Sequence, residues 1–589
     1  MFKYSHFGSV YSRNPRNGVK ETWGFLQSTT TDEIIDFQKL NNKFQTAISK
    51  HLNNLEKELK FVVEIMLWID IHRSKYEIRL EKKAKISSGA YPKVLIDLAD
   101  EKLLKESEIP KMIHLEIVKE WYASTVNSKG AKEICKGESI SYGAASGFLV
   151  HSREMAENLL LENKPIIWCL DEVTTEDIKL FNKVKGLILT KSGNTSHAAV
   201  ITKGLGIPAL LGCKDLLKKS FENKLITIDA NEGKVFEGEL NVSSKSEDKY
   251  LSKLIEIAKR NSKIKVESNS DNDRDVIKAK GFGADSVGLC RTEHMFTDGE
   301  RIPLIRKILF NDNPSQKTLD KLLEIQKKDF YNLFKELGDS SIIVRYLDAP
   351  LHEFIPRETK EIVEIAGSNV DPELFLKTYV EENPMLGFRG VRLLLTKPAI
   401  IKIQTRAVFQ ALEDLKSEGL KYPEVILEVP LVVDVNEVEM FKALVMSEIK
   451  EINPRFKYSF ATMIETPRAA LTIKDIAPLV DVLSFGTNDL TQMILGFSRD
   501  DTKNFMNYYI EKRLIPYNPF VTIDSQVVKL INQCVEEARK VNPKILIGVC
   551  GEHGGDAESI RLLANSGIDS VSCSPARVPT AIFATAKYS

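Results

Sequence analysis

The chain has 589 residues, and its 82 Lys and Arg are balanced by 82 Asp and Glu, so the formal net charge is zero. This length predicts about three to five domains. The charge balance argues against a nucleic-acid binder that depends on bulk positive charge. Hydrophobic residues make up 43% and charged residues 28%, which excludes disordered and low-complexity classes. These values favour a large globular protein, most readily an enzyme.

Membrane segments and secretion signals are not predicted. The longer apolar runs, 65–69 and 429–433, are far shorter than the ~20 residues of a membrane helix, and the first 18 residues lack an apolar signal-peptide core. The seven cysteines are dispersed, with no Cys-x-x-Cys pair. We therefore expect free thiols in a reducing, cytoplasmic compartment, with neither a membrane nor a nucleic acid as partner.

The first 140 residues predict a small α+β segment followed by a helical linker. Residues 1–90 contain a turn at 13–18, a long charged helix near 34–59 and two strand-like runs at 61–71 and 76–80. The stretch 91–140 is rich in Lys and Glu and predicts helix.

Residues 141–240 alternate short β runs with short helices, which predicts a compact α/β domain. A charged stretch at 241–264 begins polar and becomes helical, as an interdomain linker helix does.

From 265 to 589 a strand–loop–helix pattern repeats and predicts a (β/α)8 barrel. Strands are predicted at 265–269, 286–290, 342–347, 425–432, 458–465, 482–486, 545–550 and 570–572, with a weaker one at 385–388. The alternative is an open doubly wound sheet, which is weakened because no Gly-x-Gly-x-x-Gly follows the first strand.

Acids and arginines recur at the predicted carboxyl ends of the barrel strands, where such barrels carry their active sites. The oxygens of Glu465 and Asp489 suit Mg²⁺, and Arg291 and Arg345, with further arginines at 389 and 392, suit a phosphate or carboxylate. The set predicts a small phosphorylated acid chelated to Mg²⁺. Any single acid could instead be a helix cap or an ion-pair partner. Cys550, beside a Gly-rich loop, has either an acid–base role or that of an inert buried thiol.

A second candidate centre is His197 in the predicted central domain. A Gly-containing loop at 192–196 follows the β run 186–189 and leads to this histidine at the start of a predicted helix. Helical N–H groups and the helix dipole would favour a phosphate on the imidazole there. Covalent catalysis through a histidine divides one phosphoryl transfer into two, although a lone histidine is more often structural.

From about residue 143 onward the sequence resembles the pyruvate, phosphate dikinase family of phosphoenolpyruvate (PEP)-utilising enzymes. Enzyme I of the sugar phosphotransferase system and phosphoenolpyruvate synthase share the broader pattern, but the LHEF, FSRDD and GEHGG details are similar to the dikinase. The runs that carry the resemblance are GLCRTEHMF (288–296), RYLDAPLHEFIP (345–356), NPMLGFRGVRL (383–393), MIETPRAALT (463–472), SFGTNDLTQM (484–493), GFSRDD (496–501), CGEHGGD (550–556) and VSCSPARVP (571–579).

The resemblance implies a swivelling phosphohistidine domain over 141–240, with His197 phosphorylated, and a PEP/pyruvate-binding barrel over 265–589 that forms a homodimer. It implies Mg²⁺ as the cofactor and Cys550 as the acid that protonates the enolate carbon. The implied substrate-binding residues are Arg291, Arg345, Glu465, Gly486, Thr487, Asn488 and Asp489, of which Glu465 and Asp489 are the metal ligands.

Three places depart from the family pattern. Ser192-Gly193-Asn194 stands where the family has Gly-Gly-Met, and Phe388 where it has His. Glu428 replaces an apolar residue before Pro430. We expect the last two changes to leave the binding residues untouched.

The first 90 residues resemble only the end of the family's ATP-grasp domain. Residues 8–18 resemble its Thr-Arg-Asn-Pro turn and 61–85 its closing strands, so most of that domain, with its phosphate-holding loop, is expected to be absent. Arg79-Leu80-Glu81 stands where the family has Gln-Thr-Arg. A Glu facing phosphates in place of Arg should repel them, so we expect no ATP binding by this chain.

These expectations favour an Mg²⁺-dependent phosphotransferase that carries out the PEP/pyruvate half-reaction through His197 and exchanges phosphate with a separate acceptor or nucleotide-binding protein. The alternative is an inactive paralogue that acts as a binding or regulatory partner. A complete ATP-dependent dikinase is the least favoured of the three.

Overall fold

The structure is a computed structural model that describes residues 4–162, 164–171, 177, 180–190, 207–243, 248–296, 301–311, 313–356, 358–366, 371–499, 501–502 and 505–589. The chain divides into two compact units, Met1–Arg260 and Asn261–Ser589. The predicted phosphohistidine His197 and the altered loop 192–194 before it lie outside the described residues.

The first unit begins with a five-stranded antiparallel sheet in the order β3-β2-β1-β4-β5. Its strands are β1 (His6–Tyr11), β2 (Trp23–Ser28), β3 (Ile34–Asp36), β4 (Val63–Asp70) and β5 (Lys75–Lys83). The helix Asn42–Leu59 packs Phe44, Ile48 and Leu52 into the core of this sheet. The predicted helix therefore begins later than residue 34, because Asn41 caps it by accepting a hydrogen bond from the N–H of Phe44.

Helices and a second β structure complete this unit. Its other helices are Tyr91–Asp100, Ile109–Met112, Leu115–Tyr122, Arg153–Leu161 and Lys249–Arg260. Seven strands close into a barrel in the order β10-β11-β7-β13-β12-β8-β9. They are β7 (Glu133–Ser141), β8 (Ala144–Val150), β9 (Ile166–Leu170), β10 (Gly186–Leu189), β11 (Ala209–Gly212), β12 (Leu225–Asp229) and β13 (Lys234–Glu237), while the short strands β6 (Thr125–Val126) and β14 (Val242–Ser243) pair with each other.

Strand β7 lies in the stretch 91–140, for which composition predicts helix. It pairs with both β11 and β13, so the central domain begins before residue 141. Ile134 and Cys135 pack against the core of this domain. Tertiary packing here overrides the helix preference of the surrounding Lys and Glu.

The second unit is a closed barrel of eight parallel strands, as predicted, and the open doubly wound alternative is wrong. The first strand pairs in parallel with both the second and the eighth, which closes the ring. The strands are β15 (Lys265–Asn269), β16 (Val287–Arg291), β17 (Ser341–Arg345), β18 (Glu424–Val429), β19 (Tyr458–Ile464), β20 (Val482–Phe485), β21 (Leu546–Val549) and β22 (Ser570–Cys573).

Helices connect the barrel strands. They are Asp273–Gly281, Ile302–Leu309, Gln316–Leu337, Thr359–Ala366, Pro372–Tyr379, Val391–Thr396, Pro398–Ser417, Val435–Ile452, Pro467–Leu471, Ile473–Ile476, Thr487–Leu495, Met506–Glu511, Ser525–Val541, Ala557–Leu563 and Val578–Tyr588. The weak strand predicted at 385–388 is wrong: Pro384–Leu386 form a 3₁₀ turn, since proline lacks the N–H that a strand ladder needs. Among the described residues, no helix combines the length and apolar character of a membrane span.

Candidate active site

The predicted site residues of the barrel gather at the carboxyl ends of its strands. Arg291 ends β16, and its neighbour in the sheet register, Arg345, ends β17. Glu465 directly follows β19, Gly486 and the first turn of the helix Thr487–Leu495 follow β20, and Cys550 directly follows β21. A closed parallel barrel brings all these ends to one rim, which is where barrel enzymes bind their substrates.

Asp348 links two of the arginines at this rim. Its carboxylate is fully buried and accepts hydrogen bonds from Arg389 Nε at 2.9 Å and Arg389 Nη2 at 2.6 Å. Arg345 Nη1 lies 3.2 Å from the same carboxylate. Bidentate pairing of this kind fixes the plane of a guanidinium as well as its position, so Asp348 orients both arginines.

Arg345 is itself almost completely buried, with 7% of its surface exposed. It forms an ion pair with Glu293, and its Nε has no hydrogen-bond partner within the described part of the chain. Burial acts to lower the pKa of Arg345, but the charges of Glu293 and Asp348 outweigh it and raise the pKa. A fixed cation with a free N–H suits an anionic substrate.

The two acids predicted to bind metal lie beside this cluster. Glu465 is buried, and its Oε1 accepts a hydrogen bond from the N–H of Leu431 at 2.8 Å. Burial, followed by the charges of Asp489 and Asp348, raises the pKa of Glu465 well above its ordinary value. Burial likewise raises the pKa of Asp489, against the opposing charge of Arg389, whose Nη1 is 3.8 Å away.

Two neighbouring acids whose pKa values are both raised, that of Glu465 partly by the charge of Asp489, fit a divalent cation, which would relieve the repulsion. Within the described ranges, no three His, Cys, Asp or Glu side chains are grouped so that they alone could hold a metal. A pair of carboxylates is nevertheless the usual protein contribution to Mg²⁺, which keeps its other positions for water and substrate oxygens.

The segment 486–489 after β20 is hydrogen-bonded to the segment after β21. Thr487 and His553 share a hydrogen bond of 2.8 Å between Oγ1 and Nδ1, and His553 Nε2 lies 2.8 Å from the carbonyl oxygen of Pro519. Burial lowers the pKa of His553, so its ring is neutral and donates from Nε2 while Nδ1 accepts. Asn488 Oδ1 accepts a hydrogen bond from the N–H of Glu552 at 3.1 Å.

Gly486 is required by the close approach of Glu465. A Cβ atom at this position would lie 2.7 Å from Glu465 Oε2 and 2.8 Å from Glu465 Cβ. A side chain at 486 would therefore displace the carboxylate that is predicted to bind the metal.

Cys550 lies 3% exposed at the inner side of the rim. Its Sγ accepts a hydrogen bond from the Ser484 hydroxyl at 3.0 Å. Burial and the negative charge of Glu428 raise the pKa of the thiol to about 12. The sulfur therefore keeps its proton at neutral pH, which suits a proton donor better than a nucleophile.

Sequence reasoning missed Ser484, His553 and the role of Glu428. The expectation that Glu428 leaves the binding residues untouched is wrong, since Glu428 neighbours Arg345 in the sheet register and its charge acts on Cys550. The alternation of inward-facing residues along β18 is a signal that could have found it. Ser484 and His553 carry no such signal, because their partners are distant in sequence.

Arg79, Leu80 and Glu81, whose sequence argues against ATP binding, lie on β5 of the first unit. The Arg79 guanidinium lies over the ring of Trp68, with 4.3 Å to the ring centroid, and is 3.2 Å from Glu77. Glu81 pairs with His51 Nε2 at 2.7 Å.

Two family models match the chain and define its class. The model described as "PEP-utilising enzyme, mobile domain" matches residues 162–233, and that described as "PEP-utilising enzyme, PEP-binding domain" matches residues 245–588. The barrel and its rim thus belong to a PEP-utilising enzyme.

Comparison with individual proteins shows to which family within this class the chain belongs. Pyruvate, phosphate dikinase of Rickettsia bellii is 34% identical over 100% of this chain and 71% of its own length. Pyruvate, phosphate dikinase of Rhizobium meliloti is 34% identical over 98% of this chain and 70% of its own length. Pyruvate, phosphate dikinase 1, chloroplastic, of Arabidopsis thaliana is 32% identical over 98% of this chain and 64% of its own length. The chain belongs to the pyruvate, phosphate dikinase family, which confirms the resemblance seen in its motifs.

Proposed function

We propose that this chain catalyses the Mg²⁺-dependent PEP/pyruvate half-reaction of the dikinase through a phosphohistidine at His197, without binding ATP itself. The observation that carries the proposal is the rim of the barrel, where Asp348 fixes Arg345 and Arg389 beside the acids Glu465 and Asp489. That arrangement joins anion binding, metal binding and a protonated thiol at one place.

Arg291 and Arg345 would bind the carboxylate and phosphate of PEP. Arg345 is held by Asp348 and Glu293, so little further ordering is needed when the substrate binds. The side chain of Asn488, already fixed by the N–H of Glu552, adds a polar contact beside them.

Glu465 and Asp489 would hold the Mg²⁺. When bound, the ion supplies positive charge that stabilises the enolate and phosphate oxygens. The chain itself would hold the two carboxylates in place. The N–H of Leu431 fixes the buried Glu465, and the first turn of the helix Thr487–Leu495 carries the partly buried Asp489.

Cys550 would deliver the proton that turns the enolate into pyruvate. As the phosphoryl group passes from PEP to His197, the enolate carbon takes the proton of the Cys550 thiol. The high pKa of that thiol keeps the proton in place until a stronger base, the enolate carbon, is formed beside it.

The proposal extends to partners. A separate acceptor or nucleotide-binding protein would exchange phosphate with His197, and the barrel would form the homodimer. These partners follow from family membership and from the predicted loss of ATP contacts at Arg79-Leu80-Glu81.

Labelling with radioactive PEP tests the proposal. With Mg²⁺ and no nucleotide, the protein should acquire an acid-labile phosphoryl label that is lost in His197→Ala. His51→Ala, which changes a histidine paired with Glu81 on the first sheet, is the matched control and should label normally. An unlabelled wild type, or a label that persists in His197→Ala, would contradict the proposal.

A further inference from the structure

Gln404 is a buried amide that the half-reaction as described does not use. It lies in the helix Pro398–Ser417 and is 1% exposed. A side-chain amide carries both donors and an acceptor, and burying them without partners is costly. The partners of Gln404 lie in the two segments that follow β16 and β17, where the substrate-binding arginines are predicted.

The oxygen end of this amide holds the segment after β17. Gln404 Oε1 accepts a hydrogen bond from the N–H of Leu347 at 3.1 Å. Leu347 stands directly before Asp348 in the chain. Because a backbone N–H can only donate, the amide oxygen must face Leu347, and the NH₂ group must face the other way.

The nitrogen end of the amide holds the segment after β16. Gln404 Nε2 donates to Thr292 Oγ1 at 2.8 Å, and Thr292 is fully buried. The Thr292 hydroxyl donates in turn to the carbonyl oxygen of Arg345 at 2.9 Å. These three hydrogen bonds form one bridge between the two segments, the Gln404–Thr292 bridge, in which every donor faces an acceptor.

The bridge begins where the sheet ends. Strands β16 and β17 pair up to Arg291 and Arg345, which are the last residues of the two strands. Arg291 directly precedes Thr292, and the carbonyl of Arg345 is the acceptor at the end of the bridge. The bridge therefore fixes how far apart the two chains stand immediately beyond these arginines.

Both acids that hold the Arg345 guanidinium are attached to the same bridge. Glu293 directly follows Thr292 and forms an ion pair with Arg345. Asp348 directly follows Leu347 and lies 3.2 Å from Arg345 Nη1. A shift of the bridge would therefore move the cation and both of its partners.

We propose that Gln404 is a positioning residue that sets the distance between Arg291 and Arg345, so that the two arginines match the carboxylate and the phosphate of PEP. This inference rests on the proposed function, because it needs both arginines to bind that substrate. Gln404 acts through Thr292 and Leu347 and does not itself touch substrate. PEP is short and rigid, so it cannot adapt to a changed distance, and a misplacement of about 1 Å can cost about a hundredfold.

Gln404→Met tests the bridge, because it keeps the approximate shape of the side chain and removes both of its hydrogen bonds. The KM for PEP in PEP–pyruvate isotope exchange should rise about tenfold. The maximal exchange rate should change less than about threefold, because Arg291 and Arg345 hold the ground state and the transition state alike. The Mg²⁺ concentration for half-maximal exchange at saturating PEP should not change, since Glu465 and Asp489 lie outside the bridge.

Gln326→Met is the matched control. Gln326 is fully buried in the helix Gln316–Leu337, and neither its amide nitrogen nor its oxygen has a hydrogen-bond partner within the described part of the chain. The same substitution there should leave the KM for PEP unchanged. A lower melting temperature in Gln404→Met with an unchanged KM would overturn the inference, because it would leave Gln404 a role in folding alone.

Thr292 provides a second test that does not depend on the folding of Gln404→Met. Thr292→Val removes the hydroxyl in the middle of the bridge and should raise the KM for PEP as much as Gln404→Met does, and the double variant should be no worse than either single one. Thr292→Ser keeps the hydroxyl and should restore the KM of the wild type.

A KM for PEP in Thr292→Val within twofold of the wild type would overturn the inference and leave the proposed function intact. So would a KM raised equally in Thr292→Ser and Thr292→Val, because the hydroxyl would then not be the cause. A wild type that neither labels nor exchanges would overturn the proposed function and this inference together.

Discussion

At the scale of single residues, Asp348 has the greatest structural influence on the candidate site. It is buried and paired with two arginines, so removing its charge leaves two cations without their partner. Breaking a buried ion pair from one side typically costs about 3–5 kcal/mol. We therefore expect both the stability of the barrel and the proposed anion binding to depend on this one carboxylate.

The variant Asp348→Asn should lower the free energy of unfolding by several kcal/mol, of the order given for buried pairs, and raise the KM for PEP. Urea denaturation and exchange kinetics measure the two effects. Asp339→Asn, which removes the exposed ion pair with Lys421, is the control and should leave the free energy of unfolding almost unchanged. Equal effects in the two variants would contradict the role given to Asp348.

A second prediction for a single residue concerns Cys550. Cys550→Ala should slow PEP–pyruvate exchange by about a hundredfold or more, the range for loss of a general acid. The control is Cys534→Ala, which removes another buried thiol whose Sγ donates to the carbonyl of Ala470. If Cys534→Ala slows exchange as much as Cys550→Ala does, Cys550 is not the proton donor.

Glu428 also predicts how stability depends on pH. Its folded-state pKa of about 8 lies above the ordinary value of 4.5, so folding favours the protonated form. The free energy of unfolding should therefore fall as pH rises between these values. Glu428→Met should remove this loss, so its melting temperature should exceed that of the wild type by more at pH 8 than at pH 5. A difference independent of pH would contradict the assigned burial cost.

At the scale of elements, the loops after β20 and β21 form one interlocked unit. Thr487 and Asn488 of the first loop bond His553 and Glu552 of the second. A Cβ on Gly551 would overlap with Thr487 Oγ1. The side of the rim that is proposed to bind Mg²⁺ is thus held by contacts between the two segments rather than by either one alone.

Gly486→Ala should disturb this unit through Glu465. The added methyl would lie 2.7 Å from Glu465 Oε2, so the carboxylate must move and the Mg²⁺ concentration for half-maximal exchange should rise. Gly281→Ala is the control, because a Cβ there meets nothing within 4 Å. An unaltered Mg²⁺ requirement in Gly486→Ala would count against Glu465 as a ligand.

The elements also explain which features could be predicted from the sequence. The eight barrel strands could be predicted, because each is a short apolar run between helical patterns. The predicted strand at 385–388 is instead a turn, because Pro384 lacks the N–H that a strand needs. The stretch 133–140, predicted as helix, is a strand because it pairs with neighbouring strands. Arg345, Glu465 and Asp489 could be assigned to one rim from strand ends alone, whereas the Ser484–Cys550 bond depends on register between strands.

At the scale of the whole molecule, the neutral net charge conceals a strong local separation of charge. The barrel places buried arginines and acids together at one rim. The chain spans 71% of the Rickettsia bellii relative and 64% of the Arabidopsis thaliana one. The function proposed for the chain is therefore the PEP/pyruvate half-reaction.

Isotope exchange between labelled pyruvate and PEP, with Mg²⁺ and without nucleotide or inorganic phosphate, tests that claim most directly. We expect the wild type to catalyse the exchange and His197→Ala to lose it. A chelator that removes the metal should abolish the exchange, and added Mg²⁺ should restore it. Folded wild-type protein that shows no exchange under these conditions, or exchange that survives His197→Ala, would contradict the proposed function.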